Sequence, residues 1–169
     1  MIDGHEPPAW DIQAWLNTDN PLSLQDLRGR VVVVHAFQML CPGCVTHGTP
    51  QAKAIQQAFP PSRVQVVGLH TVFEHHESMN ETALKAFLYE YRVRFPVGID
   101  RPDPRGNPLP LTMQAWHLEG TPTLIILDAL GRLRLQHFGQ LDDLRVGAII
   151  GQLVAEADAA SPALITPAI

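Results

Sequence analysis

Cysteine is nearly absent from this chain: 169 residues contain two, Cys41 and Cys44, three positions apart. A pair that close excludes a multi-disulfide secreted scaffold and marks a local site before it marks a staple. Charge is also thin. Charged residues are 17% of the chain, and 12 Lys and Arg against 17 Asp and Glu leave a formal charge of −5. With no basic run, sequence-independent binding to nucleic acid or to an anionic membrane is not expected. Long hydrophobic runs are missing as well. The longest, 31–34 and 123–127, fall far short of the roughly 18 residues of a membrane span. The opening MIDGHEPPAW has neither the basic nor the apolar region of a secretory leader. As written the chain is expected in the cytosol, and in the periplasm if a leader was removed. No glycine-rich phosphate loop, Ser-His-Asp triad, nucleotide fingerprint or internal repeat occurs, so no organic cofactor is called for.

What is present is an ordinary apolar content, 46%, on a length that suits one domain. Val31–Phe37 is β-branched and apolar and reads as a fully buried central strand. Residues 63–69 read as a second buried strand, and 95–99 as a short one. Leu84, Phe87, Leu88 and Tyr91 recur at helical spacing across 80–92, with Asn80 as a cap. Residues 101–110 hold four prolines and form a loop. A helical turn near 113–117, a strand at 124–127, a turn at 129–131, an alternating edge strand at 132–138 and a closing helix at 142–157 complete the chain. Such alternation predicts an α/β fold with a mixed sheet. The Ala/Pro-rich stretch from 158 onward reads as a flexible tail.

The cysteines sit where the first buried strand gives way to a helix. Pro42 suits the first helical position, which makes Cys41 the cap. The positive end of a helix stabilises a thiolate there. Cys44, one turn on, lies within reach of a mixed disulfide formed by Cys41. The pair therefore reads as an exposed nucleophile and a buried resolving thiol. A zinc clip is the rival: Cys41, Cys44 and His47 have ligand-like spacing, though no second ligand pair matches them.

The ordered set of residues 21–30 (PLSLQDLRGR), Val31–Phe37, Cys41-Pro42-Gly43-Cys44, Gly120-Thr121-Pro122-Thr123, Asp128 to Gly131 and Gly139 resembles the thioredoxin fold. Within it, the closest likeness is to TlpA/ResA-type thiol–disulfide oxidoreductases of the redoxin (AhpC/TSA) group. The resemblance implies a three-layer sandwich over 1–157: a mixed central sheet, helices on both faces, an N-terminal extension at 1–20 and a TlpA-type inserted helix and strand at 74–110. It also implies a cis peptide before Pro122, beside the cysteines, and substrate pairing with the backbone of Thr121. Pro42, Gly43, Thr121 and Pro122 form the implied substrate-binding set.

Several positions depart from the family pattern. Leu40 stands where tryptophan is usual. His35 replaces the buried acid that handles the resolving thiol's proton, and reads either as a core histidine or as a catalytic proton acceptor for Cys44. Pro50 falls nine residues after Cys41 rather than eight, which implies a widened helical turn around 46–49. Peroxiredoxins share the fold, but their proline and hydroxyl positions are Val34 and Gln38 here. Peroxidase therefore remains the alternative enzyme class, and a non-catalytic binding module with a zinc or structural cysteine pair the alternative outside enzymes. His70, His75 and His76, with Glu74 and Glu77, read as a polar loop entry or a metal site. Trp10 and Trp15 read as packing, Phe37 and Trp116 as neighbours of the cysteines, and His117 as a surface residue. The expected partners are a disulfide-bearing protein or small thiol and an upstream thiol reductant, acting on a monomer or weak dimer.

Overall fold

The computed structural model describes residues 4–160. Six strands form one sheet: β1 Ile12–Leu16, β2 Val31–Phe37, β3 Val64–His70, β4 Val97–Asp100, β5 Thr123–Leu127 and β6 Leu133–Phe138, in the order β1-β4-β3-β2-β5-β6. β2, β3 and β4 run parallel, whereas β1, β5 and β6 pair antiparallel to their neighbours. This is the mixed α/β sheet and thioredoxin-like fold read from the sequence. β2 is buried at every position because it is central and covered on both faces.

Alternation of side chains along β2 divides the core in two. Val31, Val33 and Phe37 join one cluster, closed by α1 (Thr49–Ala58), α2 (Glu81–Glu90) and α4 (Asp143–Ala160) through Ile55, Leu84, Leu88, Val146 and Ile150. Val32, Val34 and Ala36 face the other, covered by α3 (Leu111–Ala115) with Met113 and Trp116, and by Leu27. Each fully buried aliphatic side chain contributes about 1.5–3 kcal/mol of transfer free energy. Helices thus lie on both faces, unevenly.

Within residues 1–20, β1 zips onto β4, with a bulge between Ile12 and Ala14. Its apolar alternation is weak because it is a half-buried edge strand. The closing helix continues to Ala160, past the point where a tail was expected; the remainder of that tail lies outside the described residues. Asn80 does cap α2, its side chain accepting from the Ala83 N–H.

Register explains the meeting of distant segments. β5 is antiparallel to β2, and Ala36 pairs with Thr123, so the start of β5 abuts the end of β2. Thr123 pairs in turn with Phe138 at the end of β6. β3 is parallel to β2, Phe37 opposite His70, so the segment after β3 arrives at the same edge. The carboxyl end of β2 therefore collects residues 38–44, 71–75, 119–122 and 138.

Candidate active site

Helical structure begins at Pro42, widens into a π turn over Cys44–Gly48, and continues as α1. Within the turn the Thr49 N–H donates to the Cys44 carbonyl, five residues back. The extra residue before Pro50 is absorbed here, two residues earlier than the spacing indicated. Gly48 makes the turn possible: a Cβ there would lie 2.5 Å from His35 Cε1 and 3.1 Å from Pro122 Cβ. Gly43 is similarly constrained, 3.2 Å from Pro122 Cδ.

Cys41 is half-buried and Cys44 fully buried, and both thiols are free. The Cys44 N–H donates to Cys41 Sγ at 3.3 Å, and Cys41 Sγ donates to the Thr121 carbonyl at 3.4 Å. The Thr121–Pro122 peptide is cis. Burial, followed by the neighbouring Cys41 thiol, pushes the Cys44 thiol up to about 12; a backbone hydrogen bond from Gln38 and the Thr121 hydroxyl act the other way. Buried Gln38 bridges the surroundings. Its amide nitrogen donates to Thr121 Oγ1 and to Glu74 Oε1, each at 3.4 Å, and its carbonyl accepts from the Phe73 N–H at 3.1 Å.

His35 lies behind the π turn, stacked on Phe37 at 5.1 Å. Its Nε2 meets Thr49 Oγ1 at 3.2 Å, not either sulfur, and burial lowers its pKa to about 3. His70, on the far side of Phe37, is also buried; its pKa falls to about 4, and Nε2 has no hydrogen-bond partner among the described residues.

The remaining candidates are not all gathered. Phe37 shares a core cluster with Cys44, but Trp116 does not join them: it packs on Trp10 at 6.1 Å and donates to the Pro8 carbonyl. Trp10 and Trp15 meet edge-on at 5.4 Å. His47 turns to the Leu141 carbonyl, and His76 to that of Pro108. Among the described residues no three His, Cys, Asp or Glu side chains converge as a metal site. His117 is exposed.

Sequence reasoning passed over Gln38 as a bridge, Gly48 as a contact point, and Glu74, Glu119 and Phe138 as walls of an open groove beside Cys41. Gly48 alone left a signal, a glycine inside a helical segment. Glu74, Glu119 and Phe138 become neighbours of Cys41 only through strand register, as do the groups that Gln38 bridges.

A family model described as the AhpC/TSA family matches residues 4–136. Protein DipZ of Mycobacterium tuberculosis is 26% identical over 156 residues, which cover 91% of this chain but 21% of DipZ, so the chain spans about a fifth of that relative. A solved thioredoxin-like superfamily protein is 52% identical with a TM-score of 0.86, over 88% of this chain and 96% of that one. A thiol-disulfide isomerase from Corynebacterium glutamicum is 50% identical with a TM-score of 0.84, over the same shares, 88% and 96%.

Proposed function

Because the chain belongs to the AhpC/TSA family, we propose that it is a thioredoxin-like thiol–disulfide oxidoreductase working through the Cys41–Cys44 dithiol. The Cys41 thiolate attacks one sulfur of a substrate disulfide; a mixed disulfide forms and the first substrate thiolate leaves. Cys44 then loses its proton and attacks Cys41 Sγ, releasing the second substrate thiolate. Two electrons pass to the substrate, and the protein is left as the Cys41–Cys44 disulfide. An upstream dithiol returns it to the reduced form.

The observation that carries this reading is the pairing of an accessible sulfur with a sealed one. Cys41 accepts the Cys44 N–H at a helix start, and Cys44 lies beneath it with its thiol held protonated until resolution. Thr121 and Pro122 support substrate binding by their place against Cys41 and Gly43. Pro42 starts the helix, and residues 74–110, read as an insertion carrying α2 and β4, supply Glu74 to the groove.

We assign His35 to holding the π turn. Its Nε2 meets Thr49 Oγ1 rather than either sulfur, and burial disfavours the imidazolium, so the imidazole is a poor acceptor for Cys44. Dithiol exchange is favoured over peroxidase because Val34 is buried in the second core cluster and position 38 carries an amide rather than a hydroxyl. A monomer suffices for this chemistry, since every group named comes from one chain.

The test is the equilibrium reduction potential of the pair in glutathione or dithiothreitol buffers, read by thiol alkylation. A defined two-electron potential is expected. A value near −270 mV makes the protein a reductase, and one towards −120 mV makes it a disulfide donor. Thiols that never oxidise or never reduce within that range overturn the proposal.

A further inference from the structure

The groove beside Cys41, with a cavity of about 530 Å³, is uneven in its chemistry. Leu40 and Phe138 stand together on its walls, 57% and 50% exposed. Two carboxylates, Glu74 and Glu119, complete the rim, and no lysine or arginine lines it. The other titratable groups there are His75 and Cys41 itself.

Glu74 is not a loose surface acid. Its Oε1 accepts from the Gln38 amide, which is 1% exposed and locked in turn by the Phe73 N–H and by Thr121 Oγ1. A buried amide thus fixes one carboxylate over the same residue whose carbonyl touches the Cys41 thiol. Glu119 sits two residues before Thr121, on the exposed approach to the cis peptide. Together with a Cys41 thiolate, these groups place negative charge around the point where a substrate disulfide must arrive.

We propose that this groove selects polypeptide disulfides flanked by basic and apolar residues and disfavours anionic disulfides such as glutathione disulfide. The inference rests on the proposed exchange activity and adds its substrate class. Apolar side chains beside the reacting cysteine are covered by Leu40, Phe73 and Phe138, while a neighbouring Lys or Arg meets Glu74 or Glu119. Glutathione disulfide, with net negative charge, meets the same carboxylates as repulsion. The step is the one given above: Cys41 attacks the peptide disulfide, Cys44 resolves, the peptide leaves as two thiols, and the dithiol is oxidised.

The experiment uses the reduced full-length chain and three homodisulfides of a five-residue peptide, each with a Phe-Cys core flanked by Lys, Ser or Glu. Oxidation of the chain is followed by alkylation, and each rate is divided by that of dithiothreitol with the same peptide. The expected order is Lys, Ser, Glu, with Lys over Glu by about tenfold at low salt. That ratio shrinks towards unity at 1 M NaCl, and falls in both Glu119→Gln and Glu74→Gln. Glu119→Gln leaves the Gln38 bridge untouched, so it separates charge from geometry. Equal normalised rates, a reversed order, or a preference that survives high salt and both substitutions overturns the inference while leaving the exchange activity standing. Failure of all three peptides to oxidise the chain, together with failure of the oxidised chain to oxidise the reduced peptides, sinks the exchange activity itself.

Discussion

Two buried polar clusters sit at the carboxyl end of the same sheet, and they are built to different standards. At the end of β4, Asp100 is 3% exposed and accepts from the Thr112 N–H at 2.8 Å, the Met113 N–H at 3.0 Å and the Thr71 hydroxyl at 2.9 Å. Burial raises its pKa, and these hydrogen bonds oppose the rise. Every contact is short, and the carboxylate ties the start of α3 to two strands. At the end of β2, the side-chain contacts of Cys41 and Gln38 are 3.3–3.4 Å long, with the Gln38 link to Phe73 at 3.1 Å, and one side opens to a groove. The first cluster is closed and satisfied, as a structural one should be. The second keeps one sulfur open to the groove and seals the other beneath it, so that bonds can be exchanged. A perturbed carboxylate alone would have pointed to Asp100; access to a reacting partner points to Cys41.

The contrast breaks most sharply with substitutions of the two cysteines in one cluster and of the carboxylate in the other. Cys41→Ser is expected to abolish turnover with stability changed by less than about 0.5 kcal/mol, while Cys44→Ser keeps the first attack and accumulates mixed disulfide visible by mass spectrometry. Full multiple turnover by Cys44→Ser would remove the dithiol mechanism. Asp100→Ala is expected to do the opposite. Stranding two backbone N–H groups and a hydroxyl costs about 3–5 kcal/mol in urea unfolding, with the reduction potential of whatever folds unaltered; a potential that moves with it would join the two clusters into one.

Gly48→Ala forces a methyl against the His35 ring and is expected to cost about 1–3 kcal/mol. Placed on a His35→Ala background the same change should cost less, because the obstructing ring is gone. Additive costs in that cycle would show that the contact does not shape the turn.

Acid unfolding sharpens the picture further. His35 and His70 have folded pKa values near 3 and 4, below the ordinary 6.5, so the unfolded chain takes up protons first as pH falls. Their contribution is complete above about pH 6.5 and drains away towards pH 4 and below, at about 1.4 kcal/mol per pH unit for each histidine. His70→Phe should remove about half of that slope in denaturant titrations across pH 6 to 4.5, and an unchanged slope would contradict the buried neutral assignment. The smallest effect is expected from Gln38→Leu, which removes the side-chain bridge to Glu74, Thr121 and Phe73 but keeps the backbone bond to Cys44: a few-fold slower first attack, read by stopped quench, with resolution altered less. Slower resolution with first attack unchanged would place the Gln38 side chain at Cys44 rather than at the groove wall.

Much of the fold was legible from local pattern. Val31–Phe37 coincides with β2 residue for residue because a central strand covered on both faces needs an unbroken apolar run. Pro42 and the cysteine spacing located the helix start, and the displaced Pro50 forecast a widened turn. β1 escaped notice because an edge strand buries only part of one face, which leaves little apolar signature. Trp116 was misplaced for a related reason. Its neighbourhood along the chain is the approach to Pro122, but its ring is claimed by Trp10, more than a hundred residues away.

By itself, then, the chain's sequence determined the mixed α/β fold and the position of the cysteine pair at a strand-to-helix junction. These depend on neighbours within one or two turns of chain, where periodicity, proline and glycine act directly. Only the tertiary structure decided what surrounds the sulfurs. Strand register brought Thr121, Phe138 and Glu74 to Cys41, and burial left His35 neutral behind the turn. Contacts across the sheet and the protonation of a buried ring are set by which distant segments exclude water together, and no local pattern in the chain encodes that.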